Sequence, residues 1–363
     1  MNSHNYGIIM AGGGGTMFWP LCRKDSPQQF LAIEGLGKSF LRHTYERMLG
    51  IVPPENILVV TLARYKDAVL RNIPELRPEN LLLEPYGRNT APCIAYAAYS
   101  LLKRDPQAVM AVTPADNLID GEQAYRDTLR EALDYAAAHD SLITLGIVPD
   151  KPDTNFGYIQ VVGGEKAWEQ TRPVKVKTFT EKPDEALAEV FLQSGEFLWN
   201  SGIFVWKAET IRRELETHCS EVTAFFVGWE RVFGTPDEKA FIERAYAGCP
   251  KVSLDYGILE KTDKAWLYPT DFGWHDIGSW DAYYNFAPKD RHGNVVRAGR
   301  TLFSDTSGNL LLDKTGRKLF AFKGLQNYMV IDAGDVLLIC PRDDKAFKDF
   351  ISDIAMPEYE AFR

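Results

Sequence analysis

The residues best suited to chemistry stand near the start of the chain. Four consecutive glycines, Gly12 to Gly15, followed by Thr16, come directly after a short apolar run, Tyr6-Gly7-Ile8-Ile9-Met10-Ala11. Glycine lets the backbone take positive φ and lets a ligand approach with no Cβ in the way. Successive backbone N–H groups in such a turn cradle anionic oxygen, so phosphate binding is the first reading and a tight, ligand-free turn the alternative. Two familiar phosphate loops fail on spacing. A G-x-G-x-x-G reading puts Met17 or Phe18 at the last glycine, depending on whether it starts at Gly12 or Gly13. Gly37-Lys38-Ser39 has the tail of a triphosphatase loop, but Ala32 stands where its first glycine belongs.

Two later stretches carry polar groups of similar promise. Leu81-Leu82-Leu83 is followed by Glu84-Pro85-Tyr86-Gly87-Arg88-Asn89-Thr90-Ala91-Pro92. The planar fork of Arg88 can hold a phosphate or a base edge, and Asn89 and Thr90 can cap the next helix. A capped turn with a surface arginine fits equally well. Thr113-Pro114-Ala115-Asp116 ends another apolar run with a carboxylate, a placement that also suits a helix cap.

These groups need strands to hold them, and the pattern supplies the strands. The run at Tyr6–Ala11 reads as a buried first strand. A helix from Ser39, its N-cap, to Gly50 precedes a strand at Ile57–Val60. Helix near Arg64–Ile73, strand at Leu81–Leu83, helix at Ala91–Arg104 and strand at Ala108–Thr113 follow. Then come a helix around Glu122–Ala138 and a strand at Leu142–Ile147. This alternation predicts an α/β fold with a doubly wound, mostly parallel, Rossmann-like sheet. Ligands bind outside the carboxyl ends of such strands. From Pro149 the rhythm changes to extended segments, Thr154–Ile159, Val174–Phe179 and Leu198–Phe204, an expected antiparallel lobe. Helices at Ala208–His218 and Asp237–Ala247 follow. After Pro288, short strands between turn residues predict a small β-rich C-terminal domain closed by a helix near Lys345–Ile354. The expected division is 1–287 and 288–363. No internal repeat or low-complexity stretch is found.

At 363 residues, 45% hydrophobic and 25% charged, the composition is that of a globular protein with a large core. A formal net charge of -9 argues against nucleic-acid or anionic-membrane partners. No apolar run reaches the ~20 residues of a membrane span. The first strand begins too early to leave room for a signal peptide, so the expected compartment is the cytoplasm. Cys22, Cys93, Cys219, Cys249 and Cys340 lack metal-site spacing and read as reduced thiols, Cys22 being either an accessible or a packing residue.

Beyond the glycines, Phe18-Trp19-Pro20-Leu21-Cys22-Arg23 and Ser26-Pro27-Gln28-Gln29-Phe30 continue the motif. The whole resembles the sugar-nucleotidyltransferase signature, most closely that of the mannose-1-phosphate guanylyltransferases, roughly G-G-x-G-T-R-x-W-P-L-S-R and P-K-Q-F. The resemblance extends through E-P-x-G-R-N-T-A-P, P-A-D, N-x-G-Y-I, F-x-E-K-P, W-N-S-G-I-F and W-x-D-[IV]-G-x-W. Trp274, Asp276, Ile277, Gly278 and Trp280 carry the last of these.

The resemblance implies transfer of GMP from GTP to α-D-mannose 1-phosphate, giving GDP-mannose and pyrophosphate, with Mg²⁺ as cofactor. It implies nucleotide binding by Ala11, Gly12, Gly13, Gly14, Gly15, Thr16, Pro85, Arg88, Asn89 and Thr90. Gly157 would allow close approach to the sugar, Glu181 and Asn200 would bond its hydroxyls, Lys182 would contact its phosphate, and Asp116 and Asp276 would hold the metal. Two carboxylates suit magnesium, which completes its shell with substrate oxygens. Arg23 and Lys182 are the implied catalytic cations. A left-handed β-helix-like C-terminal element used in homodimer contacts is also implied. His275, beside Asp276, would be structural rather than a ligand or base. Two positions depart from the signature: Met17 stands for an arginine and Gln28 for a lysine. Three readings follow: an active guanylyltransferase, an enzyme for another sugar 1-phosphate or nucleotide, and a weakened or non-catalytic nucleotide-sugar binder.

Overall fold

The computed structural model describes residues 2–15, 17–32, 37–169, 172–354 and 356–362. Contacts divide the chain into two compact units. The first comprises Met1–Gly12, Thr44–Ala115 and Ile119–Trp274, and the second Gly13–His43, Asp116–Leu118 and His275–Arg363.

Strands β1 (Asn5–Met10), β2 (Ile57–Leu62), β3 (Leu81–Glu84) and β4 (Val109–Pro114) precede the short β5 (Asn117–Ile119). They are followed by β6 (Leu142–Ile147), β7 (Tyr158–Val161), β8 (Val174–Thr180), β9 (Phe197–Lys207), β10 (Ala265–Thr270) and the short β11 (Trp274–Asp276). The first unit is built on a nine-stranded sheet of order β3-β2-β1-β4-β9-β6-β10-β8-β7. β3, β2, β1 and β4 run parallel, as the alternation predicts. The order reverses at β1, whose two neighbours are β2 and β4, and β1 meets β4 with Met10 opposite Pro114.

The expected antiparallel lobe does not stand apart. β9 enters the sheet between β4 and β6, antiparallel to both. It is long enough to reach a third partner. Phe197–Trp199 pair with β7, while Phe204–Lys207 pair with β4. Its apolar side chains bury on both faces, and Trp206 is fully buried. Helices Thr90–Arg104 and Ala208–His218 pack on one face, where Ile94, Ala97, Ala98, Ile211 and Leu215 join Ile8 and Val60 in a continuous core. Helices at Glu122–Ala138 and Ala208–His218 coincide with their expected limits.

In the second unit, β12 (Val295–Arg297), β14 (Leu310–Asp313) and β16 (Tyr328–Asp332) stack in parallel, with β17 (Leu337–Pro341) closing antiparallel on β16. β13 (Arg300–Ser304) and β15 (Leu319–Lys323) form a second parallel pair. This is a rung-by-rung coil, β-helix-like in plan. The rungs repeat although the sequence shows no repeat, because the repeated unit is a geometry carried by few residues. Asn294 and Asn309 stack at the corner. Asn309 donates to Asn294 Oδ1 at 3.1 Å, and its own Oδ1 accepts the Tyr328 N–H at 2.8 Å.

A cut at 287/288 separates sequence motifs rather than packed units. Phe18, Trp19, Leu21 and Cys22 share one core with Trp280, Tyr283, Leu310, Leu312, Met329 and Ile331. Trp280 donates its indole N–H to the Trp19 carbonyl at 3.0 Å and meets Phe18 edge to face at 4.8 Å. Cys22 is therefore a packing residue, its thiol pushed up to about 12 by burial. Among the described residues, no helix is long and apolar enough to cross a membrane.

Candidate active site

Site residues occur in both units, and those of the first form two groups, one at the ends of β1 and β3 and one around Gly157. Ala11 follows β1 and is fixed through both backbone groups. Its N–H donates to Val60 O at 2.8 Å, and its carbonyl accepts from Thr61 Oγ1 at 2.8 Å. Gly12 comes next. A Cβ there would lie 3.0 Å from Glu84 Oε2, so a side chain would press on the carboxyl at the end of β3.

Glu84 stands in the motif without a role assigned from sequence. It is 4% exposed, and Tyr246 Oη donates to its Oε1 at 3.0 Å. Burial pushes its carboxyl up to about 7, against the opposing effect of the tyrosine hydrogen bond. Its signal in the sequence was its position: a carboxylate at the last residue of a buried strand.

Pro85, Arg88, Asn89 and Thr90 lie on the turn that follows. Arg88 does not extend freely. Its guanidinium donates to the carbonyls of Tyr246 at 2.8 Å and Ala247 at 3.0 Å, at the end of the helix Glu238–Gly248. A cation at a helix C-terminus meets unpaired carbonyls and the negative end of the dipole. Asn89 has φ of 70° and accepts the Thr90 N–H at 2.8 Å, opening the helix Thr90–Arg104. These three residues thus shape the turn, as the capped-turn alternative allowed.

Another group in the same unit surrounds Gly157. A Cβ at Gly157 would lie 2.4 Å from Glu181 Oε2 and 3.4 Å from Asn200 Cβ. Lys182 takes a left-handed φ of 47°, with its ammonium 3.9 Å from Glu181 Oε1. Such a backbone conformation is costly for a side-chain-bearing residue and tends to persist at functional turns. Burial and then the nearby Asp255 push the Glu181 carboxyl up to about 7, with Lys182 acting the other way. Asn200 Nδ2 donates to Asp255 Oδ1 at 2.9 Å. Asp255 was not among the sequence candidates.

The second unit holds the remaining glycines. Gly13 accepts at its carbonyl from Gln29 Nε2 at 2.9 Å, and a Cβ at Gly15 would lie 2.9 Å from Gln28 Oε1. Gly14 is exposed beside them, and Thr16 lies outside the described residues. Gln28 Nε2 donates to Asp116 Oδ2 at 2.5 Å. Desolvation raises the Asp116 carboxyl above its ordinary value, and the Gln28 hydrogen bond partly opposes this. Asp116 leads directly into β5, and Asp276 ends β11; these two strands form a sheet of their own. His275 packs its ring against Phe286, 5.0 Å between centroids, in keeping with a structural role. Among the described residues, no three His, Cys, Asp or Glu side chains converge as a metal site. A pair of aspartates with room for substrate oxygens is the donor set magnesium accepts. Arg23, a candidate catalytic cation, donates to the Phe362 carbonyl and to Asp335 Oδ1, the latter at 2.8 Å.

The chain thus carries a glycine loop after the first strand, strand-end carboxylates and a polar cluster around Gly157. The nucleotidyl transferase family profile matches residues 6–293. The chain belongs to that family. The nucleotidyltransferase is 35% identical to a mannose-1-phosphate guanylyltransferase of Escherichia coli K12 over 93% of its own length and 70% of the relative's. It is also 35% identical to the alginate biosynthesis protein AlgA of Pseudomonas putida, over 93% of this chain and 68% of that one. A solved structure from Thermus thermophilus, described as a mannose-1-phosphate geranyltransferase, superposes with a TM-score of 0.84. It is 31% identical, and the match covers 97% of this chain and 100% of the other. The α/β nucleotidyltransferase fold and the sugar-nucleotidyltransferase class expected from the motifs are thereby established.

Proposed function

We propose that this nucleotidyltransferase transfers GMP from GTP to α-D-mannose 1-phosphate, releasing pyrophosphate and GDP-mannose. Glu84 carries the choice of base. Tyr246 holds one of its oxygens, and the other lies on the Gly12 side. Guanine offers adjacent N1–H and N2–H donors to such a carboxylate, whereas uracil, thymine and cytosine offer no matching pair. The 35% identical relatives named for this reaction support the choice of sugar.

In the proposed reaction a phosphate oxygen of the sugar 1-phosphate attacks the α-phosphorus of GTP. The bond from that phosphorus to the bridging oxygen breaks, and pyrophosphate leaves with the electron pair. No protein nucleophile is required, so the protein's task is to position two anions and offset their charge. Asp116 and Asp276 would hold Mg²⁺, which supplies charge neutralisation at the phosphates when bound. The backbone of Gly12–Gly15 would cradle phosphate oxygen, and Lys182 would meet the phosphate of the sugar. Thr16, Pro85, Arg88, Asn89 and Thr90 would complete the nucleotide side, largely by shaping it. Arg23 would act only after leaving Asp335.

A second reading is a weakened or non-catalytic nucleotide-sugar binder. The Gln28–Asp116 hydrogen bond favours it, because an amide stands beside the metal carboxylate where the related signature has a cation. The homodimer stays part of the proposal, supported by Leu302 and Leu319, 63% and 62% exposed on the β13–β15 pair. GTP and a sugar phosphate as substrates would make the cytoplasm its compartment. Calorimetry with GDP-mannose, UDP-mannose and GDP-glucose tests the assignment. GDP-mannose should bind most tightly; equal or tighter binding of either of the others would contradict it.

A further inference from the structure

This inference rests on the sugar-phosphate reading of the Gly157 cluster and concerns a residue that reading does not include. Asn200 was expected to bond sugar hydroxyls, yet most of its capacity is spent within the protein. Its Oδ1 accepts from Thr144 Oγ1 and from the Gly202 N–H, both at 3.2 Å. An amide oxygen has two lone pairs, and both are engaged. Its Nδ2 donates to Asp255 Oδ1 at 2.9 Å, and its backbone N–H to the Gly157 carbonyl at 2.8 Å. One N–H is left. These bonds also fix which way the amide faces, so that it presents a donor to Asp255.

Asp255 is presented unusually. It opens a single π-turn, Asp255–Leu259, a rare element often found at functional sites. The turn is held from the nucleotide side, because Thr90 Oγ1 accepts the Leu254 N–H at 2.8 Å. Asp255 is partly exposed, and its carboxylate is close enough to Glu181 to raise that group electrostatically. Asn200, which carries Asp255, borders Gly157 together with Glu181, so both carboxyls belong to one cluster. Lys182 offsets both carboxylates only in part.

We infer that Asp255 contacts the sugar, accepting a hydrogen bond from a ring hydroxyl beside the one taken by Glu181, and that Asn200 is the positioning residue that aims it. Two carboxyl acceptors in one cluster suit two neighbouring hydroxyls of one configuration. An epimer that turns one hydroxyl away leaves a carboxylate unpaired, which is a strong basis for rejection.

The test is calorimetric binding of GDP and GDP-mannose to the wild type, Asp255→Asn, Asn200→Ala and the double variant. Asp255→Asn keeps the shape and an oxygen for Asn200, but turns the sugar-facing atom from acceptor to donor. It should weaken GDP-mannose about tenfold or more while leaving GDP within about twofold, and should narrow the preference over GDP-glucose. Asn200→Ala should weaken GDP-mannose in the wild-type background and add little to Asp255→Asn, since it acts through the same carboxylate. Equal weakening of GDP and GDP-mannose would overturn the inference in favour of a structural role. Unchanged GDP-mannose binding in Asp255→Asn would overturn it and leave the sugar reading intact. A wild type that binds GDP and GDP-mannose alike would remove the sugar reading and this inference together.

Discussion

Gln28 donates its side-chain amide to the Asp116 carboxylate at 2.5 Å, so a neutral group occupies the place beside the candidate metal ligand. The amide satisfies the carboxylate without bringing charge. With Met17 also uncharged, the loop lacks two cations that the related signature carries.

Restoring both charges should therefore raise the rate. The double variant Met17→Arg with Gln28→Lys is expected to increase kcat about a hundredfold, the usual worth of one well-placed transition-state donor. The two gains share one charge cluster and should not multiply. Steady-state pyrophosphate release checks this, with GDP-mannose affinity as the control. An unchanged rate would mean that these positions do not limit turnover.

Glu84 makes stability depend on pH. Its carboxyl is pushed from 4.5 to about 7 by burial, so the folded state holds the proton more tightly than the unfolded chain. Its contribution is fully present below about pH 4.5 and is lost as pH rises through about 7, roughly 3 kcal/mol in all. Glu84→Gln should remove this slope, raising Tm relative to the wild type at pH 8 but not at pH 4. The same variant should weaken GTP binding about tenfold, through loss of an anionic acceptor. Parallel Tm profiles for the two proteins would contradict the assignment.

Gly157→Ala should damage sugar binding selectively. The new Cβ would stand 2.4 Å from Glu181 Oε2, so the carboxylate must swing away. GDP-mannose affinity should fall about tenfold, the worth of one charge-assisted hydrogen bond, with GDP affinity kept. Retained GDP-mannose affinity would show that Glu181 does not serve the sugar.

Asn309→Ala tests the corner of the C-terminal coil. Asn309 is 2% exposed and bonds Asn294, the Leu325 carbonyl and the Tyr328 N–H. Removing it strands several buried polar groups and should cost about 2–4 kcal/mol, read from the urea midpoint of the transition reporting the second unit. A change below about 0.5 kcal/mol, the range of ordinary surface substitutions, would contradict the ladder's role.

The parallel half of the sheet was legible because its strands are apolar runs closed by turns, and β6 and the helix Glu122–Ala138 fall where periodicity puts them. Ser39 was legible too, and its Oγ accepts the Arg42 N–H at 3.1 Å. The insertion of β9 was not, since the apolar pattern of a buried strand carries no sign of direction or neighbour. Arg88 and Arg23 read as free cations because sequence does not show which carbonyls lie within reach. The helix end at Tyr246–Ala247 claims the first, and Asp335 and Phe362 the second. Asp255 stayed hidden because a π-turn has no sequence pattern of its own.

The central claim is GMP transfer, and pyrophosphate release from GTP on highly purified wild-type protein tests it most directly. Release should require mannose 1-phosphate, stop when Mg²⁺ is chelated, and run below the ~10 s⁻¹ typical of enzymes. No release with mannose 1-phosphate, or the same release without it, would contradict the account.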